Sequence, residues 1–560
     1  MELLRHKLVR LLEAAVSDAM ERGTLPAVGV PEISVEHPVN AAHGDYASNL
    51  ALRLARAAQM KPLDIAERVA ASLSTSDEVE SAYAAPPGFV NLIIKDAWLQ
   101  AQVATIRAEG KRFGNVELGG GATVQVEFVS VNPTGPVHIG HGRGAVLGST
   151  LANVLEAAGY AVEREYYVND AGNQMQNFYR SLYARAAQSL ALDVDVPDDG
   201  YQGAYVADTA REILNEAPNR KALEMLIADK PDEAIAQMAA PGRGKMIDLI
   251  RTDLEAMGVR FDVWFSEQSL FDSGQYEATL DRLRDSGYLA HREGATWFTS
   301  TSLGEDKDNV LVRSTGVPTY FAAAIASHYN KLVERSFDRV IDIWGADHQG
   351  HVPRMKAAVS ALGIDPERLT VLISQLVTLR RGDQVVRVSK RTGDIITLRE
   401  VVDEVGPDVC RFFLLSRSAN SQMDFDLEQA KNQSEDNPVY YVQYAHARIA
   451  SILRLAGEEG INYSEGNLGL LSHEAELTLV RKMLQLPELV ELVAVTFEPH
   501  HLPHYAQELA TAFHSFYKQC RVVDRAKPDI TAARLKLVDA ARITLARTLH
   551  LMGMGAPAQM

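Results

Sequence analysis

The 560-residue chain is poor in cysteine: its two, Cys410 and Cys520, lie far apart, without CxxC or CxxH spacing and among apolar residues. That excludes a disulfide scaffold, gives no zinc-ligand pattern and suits a reducing compartment. Long apolar runs are also missing, and no stretch approaches the roughly 18 residues of a membrane span. The opening residues Met1 to His6 lead into an amphipathic helical pattern with Leu8, Leu11, Leu12 and Val16 on one face, which is neither a signal nor a transit peptide. A cytoplasmic protein without a membrane partner is the expectation. Positive charge is in deficit, 56 Lys and Arg against 73 Asp and Glu, a formal net charge of −17. Indiscriminate DNA binding, which needs clustered cations against phosphate, is excluded. Internal repeats and low-complexity tracts are lacking.

What is present exceeds one domain's length, so three or four domains are expected, each burying its own core. Residues 1–105 mix helices and short strands, ending on the turn and apolar strand of Pro86 to Ile94. They form an expected α+β module. Residues 106–430 follow a different pattern. A β-rich run, Val124 to Val131, leads to a turn, then to apolar positions at helical spacing (Val146, Leu147, Leu151, Val154, Leu155), and then to a second strand, Ala161 to Val168. Strand, helix and strand in that order predict a doubly wound parallel sheet, Rossmann-like, with its ligand crevice at the carboxyl ends of the strands. A helical insertion is expected over about 184–258, after which the pattern resumes with a strand at Arg339 to Trp344, a helix at Pro353 to Leu362 and a strand at Leu369 to Leu379. Residues 431–560 read as helices alone. The expected fold class is multidomain α/β, a Rossmann-like domain flanked by the α+β module and an all-α bundle.

Between the first strand and its helix stands Asn132-Pro133-Thr134-Gly135-Pro136-Val137-His138-Ile139-Gly140-His141-Gly142-Arg143-Gly144. Glycines let a ligand approach the backbone, a helix N-terminus offers unpaired N–H groups, and two imidazoles add donors: the makings of a nucleotide phosphate site. Downstream, Arg387-Val388-Ser389-Lys390-Arg391-Thr392-Gly393 is a basic turn. From Lys518 to Arg547 eight Lys and Arg face three Asp, a surplus equally compatible with an anionic partner and with a solvated helix surface.

His138-Ile139-Gly140-His141 is the HIGH signature of class I aminoacyl-tRNA synthetases, and the basic turn resembles their second signature, KMSKS, with arginine at its first and last positions and valine at its second. Gly88 to Asn91, Glu127 to Asn132, Glu165 to Asp170, Thr319-Tyr320-Phe321, Gly345 to His348, His43 to Tyr46 and Tyr440 to Arg448 all resemble arginyl-tRNA synthetases of bacterial type, in the same order along the whole chain. The resemblance implies an arginine-tRNA ligase that first forms arginyl adenylate from arginine and ATP, with cognate tRNA bound, and then charges the terminal ribose of tRNA(Arg). It assigns His138, His141 and Lys390 to catalysis. ATP would be met by Thr134, Gly135, His138, Gly140, His141, Gly142, Asp347, His348, Ser389, Lys390 and Arg391, with Mg²⁺ arriving on the ATP and no structural metal. Arginine would be met by Glu127, Ser130, Asn132, His141 and Tyr320, because a carboxylate matches the planar guanidinium fork, and Asn91 would approach the same pocket. Transfer RNA would be met by His43, Asp45 and Asn49 in the first module and by Tyr440, Tyr444 and Arg448, which share one helical face and suit base stacking. Read in isolation, Glu127 also fits a salt-bridged strand glutamate, Tyr320 a core aromatic, and Asp347 a helix cap.

The chain departs from the family pattern beside Tyr320: the usual aspartate four residues on is Ala324, and the usual tyrosine seven residues on is Ser327. Alternatives are therefore a synthetase-like tRNA-binding or regulatory protein with weakened activation, or a class I synthetase for another amino acid. A small-molecule nucleotidyltransferase would not need the helical region after residue 431. A monomer is expected.

Overall fold

A computed structural model describes residues 3–73, 76–386, 396–434 and 436–560. The first helix, Leu4–Glu21, buries Leu8, Leu12, Ala15, Val16 and Ala19; the three- and four-residue spacing puts these on one face, each large one contributing about 1.5–3 kcal/mol. With the helices Leu50–Ala58 and Pro62–Ser72 it packs around an antiparallel sheet in which Phe89–Ile94 lies between Tyr46–Ser48 and Val79–Ala85.

The central sheet has five parallel strands: β1 Thr123–Glu127, β2 Ala161–Val168, β3 Val263–Ser266, β4 Arg339–Gly345 and β5 Leu369–Ser374. Their spatial order is β5-β4-β1-β2-β3, so the chain reverses direction between β1 and β4. In a doubly wound sheet that reversal leaves a crevice outside the carboxyl ends of the two strands. The helix Ile139–Ala157, connecting β1 to β2, is buried along most of its length.

Two strands end earlier than the sequence pattern suggests. β1 stops at Glu127 because Val129 and Ser130 take positive φ values of 70° and 42°. The apolar run after Leu369 divides: Leu369–Ser374 stays in the central sheet, while Val377–Arg381 joins a second sheet with Gln384–Val385 and Met423–Asp426. The break is held by the buried Arg143 guanidinium, which donates to the carbonyls of Gln375 at 3.0 Å, Ser421 at 2.7 Å and Ser418 at 2.8 Å. A buried cation needs such acceptors, so the backbone bends to supply them.

Between β2 and β3 lie the helices Asn173–Ser189, Ala204–Glu216, Arg220–Asp229 and Pro231–Ala256, with their own core around Phe178, Leu182, Val206 and Met238. The C-terminal bundle is built from Pro438–Glu458, Glu474–Thr496, His501–Gln519 and Pro528–Leu551. The bundle is fastened to the sheet domain by Arg411, whose buried guanidinium donates to the carbonyl of Met552 at 2.6 Å, the carbonyl of Met257 at 3.1 Å and Ser149 Oγ at 2.8 Å. The first module docks on the same bundle: Tyr46 donates to Glu488 at 2.8 Å, and Arg5 pairs with Glu491 at 2.6 Å. Among the described residues no helix is long and apolar enough to cross a membrane.

Candidate active site

A cavity of about 590 Å³ opens at the carboxyl ends of β1 and β4. Val129 and Ser130 line it in the left-handed conformation, a costly one for a β-branched residue, and such strain concentrates at functional sites. Their turn is secured by Ser130 Oγ, which accepts from the Tyr167 backbone N–H at 3.1 Å, and farther on the Asn132 amide donates to Gln174.

The helix Ile139–Ala157 points its N-terminus at this cavity. His138 caps it, accepting from the Gly140 N–H at 3.2 Å, and the His138 and His141 rings stack with centroids 3.6 Å apart. The dipole of a helix start favours an anion here. His141 and Thr134 lie on the cavity wall. Gly140 has only the His138 ring nearby, whereas a side chain at Gly135 would strike Tyr205 and one at Gly142 would strike Leu398. Close packing thus also requires a bare backbone at those two glycines. Thr397 forms a β-bridge with His138, and the Leu398 N–H donates to the Val137 carbonyl at 2.7 Å. Ser389, Lys390 and Arg391 lie outside the described residues.

The sheet side of the cavity is charged. Glu127 and Asp342 are register partners on β1 and β4. Between them sits Lys331, fully buried, donating to Glu127 Oε2 and to Asp342 Oδ1, the latter at 3.1 Å. Lys331 reaches them because the helix Tyr320–Tyr329 widens into a π-helical turn, Asn330–Glu334, a distortion frequent at functional sites. Burial would raise Asp342, but the Lys331 ammonium and the His328 ring, with Nε2 at 2.8 Å, outweigh it and hold its carboxyl down, to about 2. Glu127 has one such neighbour rather than two; burial pushes it up, with Lys331 opposing.

Across the cavity stand Tyr320, Phe321 and Ala324 from that helix, with Asp347, His348, His351 and Arg354 from the segment after β4. The Arg354 guanidinium lies 4.8 Å over the Phe321 ring, and its buried Nε has no hydrogen-bond partner among the described residues. The segment between β2 and β3 adds Asn177, Asp199 and Tyr201 to the lining.

Glu127, Ser130, Asn132, Thr134, His141, Tyr320, Asp347 and His348 thus meet on one cavity, with His138 beside it. Asn91 does not: it is buried in the first module's sheet, paired in register with Ala47 and Tyr83. In that module His43 is exposed, and Asn49 Oδ1 accepts from Ser34 at 3.5 Å. Asp45 uses its carboxylate internally, accepting from the Ile94 N–H at 2.6 Å and from Arg481 at 2.5 Å. In the bundle, the Tyr440 and Tyr444 rings stack at 6.1 Å with planes 8° apart, and the Arg448 guanidinium lies 4.3 Å over Tyr517. Lys331, Asp342 and Arg354 were not found by sequence reasoning. The Asp in the apolar β4 strand was the one signal that a buried cation would be needed opposite it.

Residues 102–445 match the family described as tRNA synthetases class I (R), catalytic domain; residues 6–94 match the arginyl tRNA synthetase N terminal domain, and 442–560 the DALR anticodon binding domain. An arginine–tRNA ligase of Dehalococcoides mccartyi strain CBDB1 is 56% identical over 557 residues, covering 100% of this chain and 99% of the relative. The chain belongs to the arginyl-tRNA synthetase family. A second relative of this synthetase, the arginine–tRNA ligase of Heliobacterium modesticaldum, is 47% identical over 567 residues, covering 100% of this chain and 99% of that one. The fold of the synthetase also matches the Thermus thermophilus arginyl-tRNA synthetase structure, with a TM-score of 0.77 at 22% identity and full coverage of both chains.

Proposed function

We propose that this arginine-tRNA ligase uses the cavity at β1 and β4 for both of its steps. The arginine carboxylate attacks the α-phosphate of ATP, releasing pyrophosphate and leaving arginyl adenylate; the terminal ribose hydroxyl of tRNA(Arg) then takes the arginyl group and AMP departs. One observation supports this reading: a carboxylate suited to a guanidinium, Glu127, and the first turn of a helix suited to phosphate, at His141, border one cavity. Glu127 with Tyr320 meets the guanidinium, and Ser130, Asn132 and His141 meet the ammonium and carboxylate end. His138, His141, Thr134, Gly140, Asp347 and His348 hold ATP, which brings Mg²⁺ with it as part of the substrate. Gly135 and Gly142 bring their backbone to the ATP as well as letting Tyr205 and Leu398 pack against them. Lys390, with Ser389 and Arg391, neutralises charge on the departing pyrophosphate. Because the reactants need alignment and fixed positive charge rather than a covalent enzyme intermediate, positioning and electrostatics supply the rate.

On this reading residues 1–105 and 431–560 grip the tRNA, through His43 and Asn49 on one side and Tyr440, Tyr444 and Arg448 on the other, around the catalytic residues 106–430. The enzyme acts as a monomer in the cytoplasm. Charging of total tRNA with each labelled amino acid tests the proposal: arginine alone should be incorporated. Ala324 on the cavity wall favours a second reading, a tRNA-binding protein with weakened activation, and tRNA binding without any charging would establish that instead.

A further inference from the structure

The proposed reading gives Glu127 the guanidinium, yet a lysine already holds that carboxylate. Lys331 is fully buried and spans Glu127 Oε2 and Asp342 Oδ1. Asp342 is secured from behind by His328, whose other ring nitrogen lies 2.7 Å from the Ala324 carbonyl. The chain of contacts therefore runs from the cavity floor through Lys331, Asp342 and His328 to the backbone of the opposite wall. We infer that Lys331 is a positioning residue for arginine: it fixes Glu127 in its ionised form, taking Oε2 and leaving Oε1 to meet the guanidinium.

The electrostatics of the surroundings explain why such a residue is needed. Glu127 faces Lys331 from the π-helical turn, Asp342 from β4, Glu165 and Tyr167 from β2 and Tyr320 from the helix above. Glu165 is itself paired with Arg335 at 2.5 Å. Two carboxylates abreast on adjacent strands cannot both stay charged in a buried place without a cation between them. Glu127 is the member burial pushes up, and Lys331 is the neighbour that opposes the push. Lys331 is in turn held charged, because Asp342 and Glu127 outweigh its own burial. Without Lys331 the proton would go to Glu127, and a neutral acid offers a guanidinium no opposite charge. Nor does the arrangement make Lys331 a competitor for the substrate: its ammonium is enclosed by the sheet, while the cavity side of Glu127 stays accessible.

The inference rests on the reading that Glu127 binds arginine, so the test separates the two. Arginine KM and kcat are measured at saturating ATP and tRNA from pH 6.5 to 8.5 for wild type, Glu127→Gln and Lys331→Met, with thermal melting and ATP KM as checks on the fold. Expected are an arginine KM raised about tenfold or more by Glu127→Gln at every pH, and one raised similarly by Lys331→Met at pH 6.5 that recovers about tenfold per unit of pH. The kcat and the ATP KM should move far less. Should Lys331→Met fail to fold, the double variant Lys331→Met/Asp342→Asn removes the unpaired charge; Glu127 then keeps its burial but loses its like-charged neighbour, so the KM should still be raised at pH 6.5 and should recover at lower pH than in the single variant. An unchanged KM in Glu127→Gln overturns the guanidinium reading itself. A raised KM there, with a pH-independent KM in the folded lysine variant, overturns the positioning role alone.

Discussion

Asp45 and Arg481 meet across the junction between the first module and the C-terminal bundle, Oδ1 to Nε at 2.5 Å, while the second oxygen of Asp45 accepts the Ile94 N–H. Removing the carboxylate leaves Arg481 with only its exposed partners, Glu474 at 3.3 Å and Asp96 at 4.0 Å, and strands the Ile94 backbone donor, at about 1–3 kcal/mol. Asp45→Ala should lower the melting temperature by several degrees without changing the arginine KM. An unchanged melt with a weakened affinity for tRNA would instead make Asp45 an RNA contact.

His141 and Lys390 carry the phosphate chemistry proposed above. His141→Ala and Lys390→Ala should each reduce arginine charging by about a hundredfold or more, the scale of losing one preorganised charged contact, with the fold retained by circular dichroism. Undiminished charging by both variants would remove them from the mechanism.

Adenylate formation should depend on bound tRNA, as the family resemblance implies. Pyrophosphate exchange with arginine and ATP alone should be near background and rise on adding tRNA(Arg). Robust exchange without tRNA would show activation to be self-sufficient.

Ala324 faces the cavity where the family pattern carries a carboxylate. With Asp342 committed to Lys331 and His328, Glu127 is the carboxylate that the sheet side of the cavity leaves to answer the guanidinium. Ala324→Asp should add one charged hydrogen bond, about 1.5–3 kcal/mol, or a roughly ten- to hundredfold lower arginine KM. An equal or higher KM would mean that the pocket has no use for a second carboxylate.

Tyr167 donates to Glu267 at 2.9 Å, and burial pushes that carboxyl up to about 7, with Asp170 adding to the effect. Because the folded value exceeds the unfolded one near 4.5, the bound proton stabilises the fold. Its contribution is complete below the unfolded value and fades as pH rises through about 7, by about 1.4 kcal/mol for each pH unit crossed between the two values. The melting temperature of wild type should therefore fall relative to Glu267→Gln between pH 5 and pH 8. Parallel curves for the two proteins would deny the coupling.

The parts of the site legible in the sequence are those written locally. The His138 to Gly144 segment declares a helix N-terminus by its own composition, and the spacing of Tyr440, Tyr444 and Arg448 places them on one face before any tertiary contact is known. Lys331 was out of reach because its role depends on Asp342 lying beside Glu127, a parallel register set between strands more than 200 residues apart. It depends equally on a π-helical turn that ordinary helical periodicity does not anticipate. Glu127 fits both of its sequence readings at once, salt-bridged in its strand and turned to the cavity. The apolar run from Leu369 to Leu379 looked continuous because the agent of its division, Arg143, belongs to a helix 232 residues before Gln375 in the chain.

Arg411 sets a limit on how this enzyme can be taken apart. One of its acceptors, the Met552 carbonyl, lies near the chain's end, and burial already lowers this guanidinium to about 10. A fragment ending before the bundle would keep the cation and lose that acceptor, opening the helix Ile139–Ala157 to solvent at Ser149 and Thr150, which share the same guanidinium. The bundle and the sheet domain should therefore melt together. Activity should return from split halves only when both are present to re-form that junction.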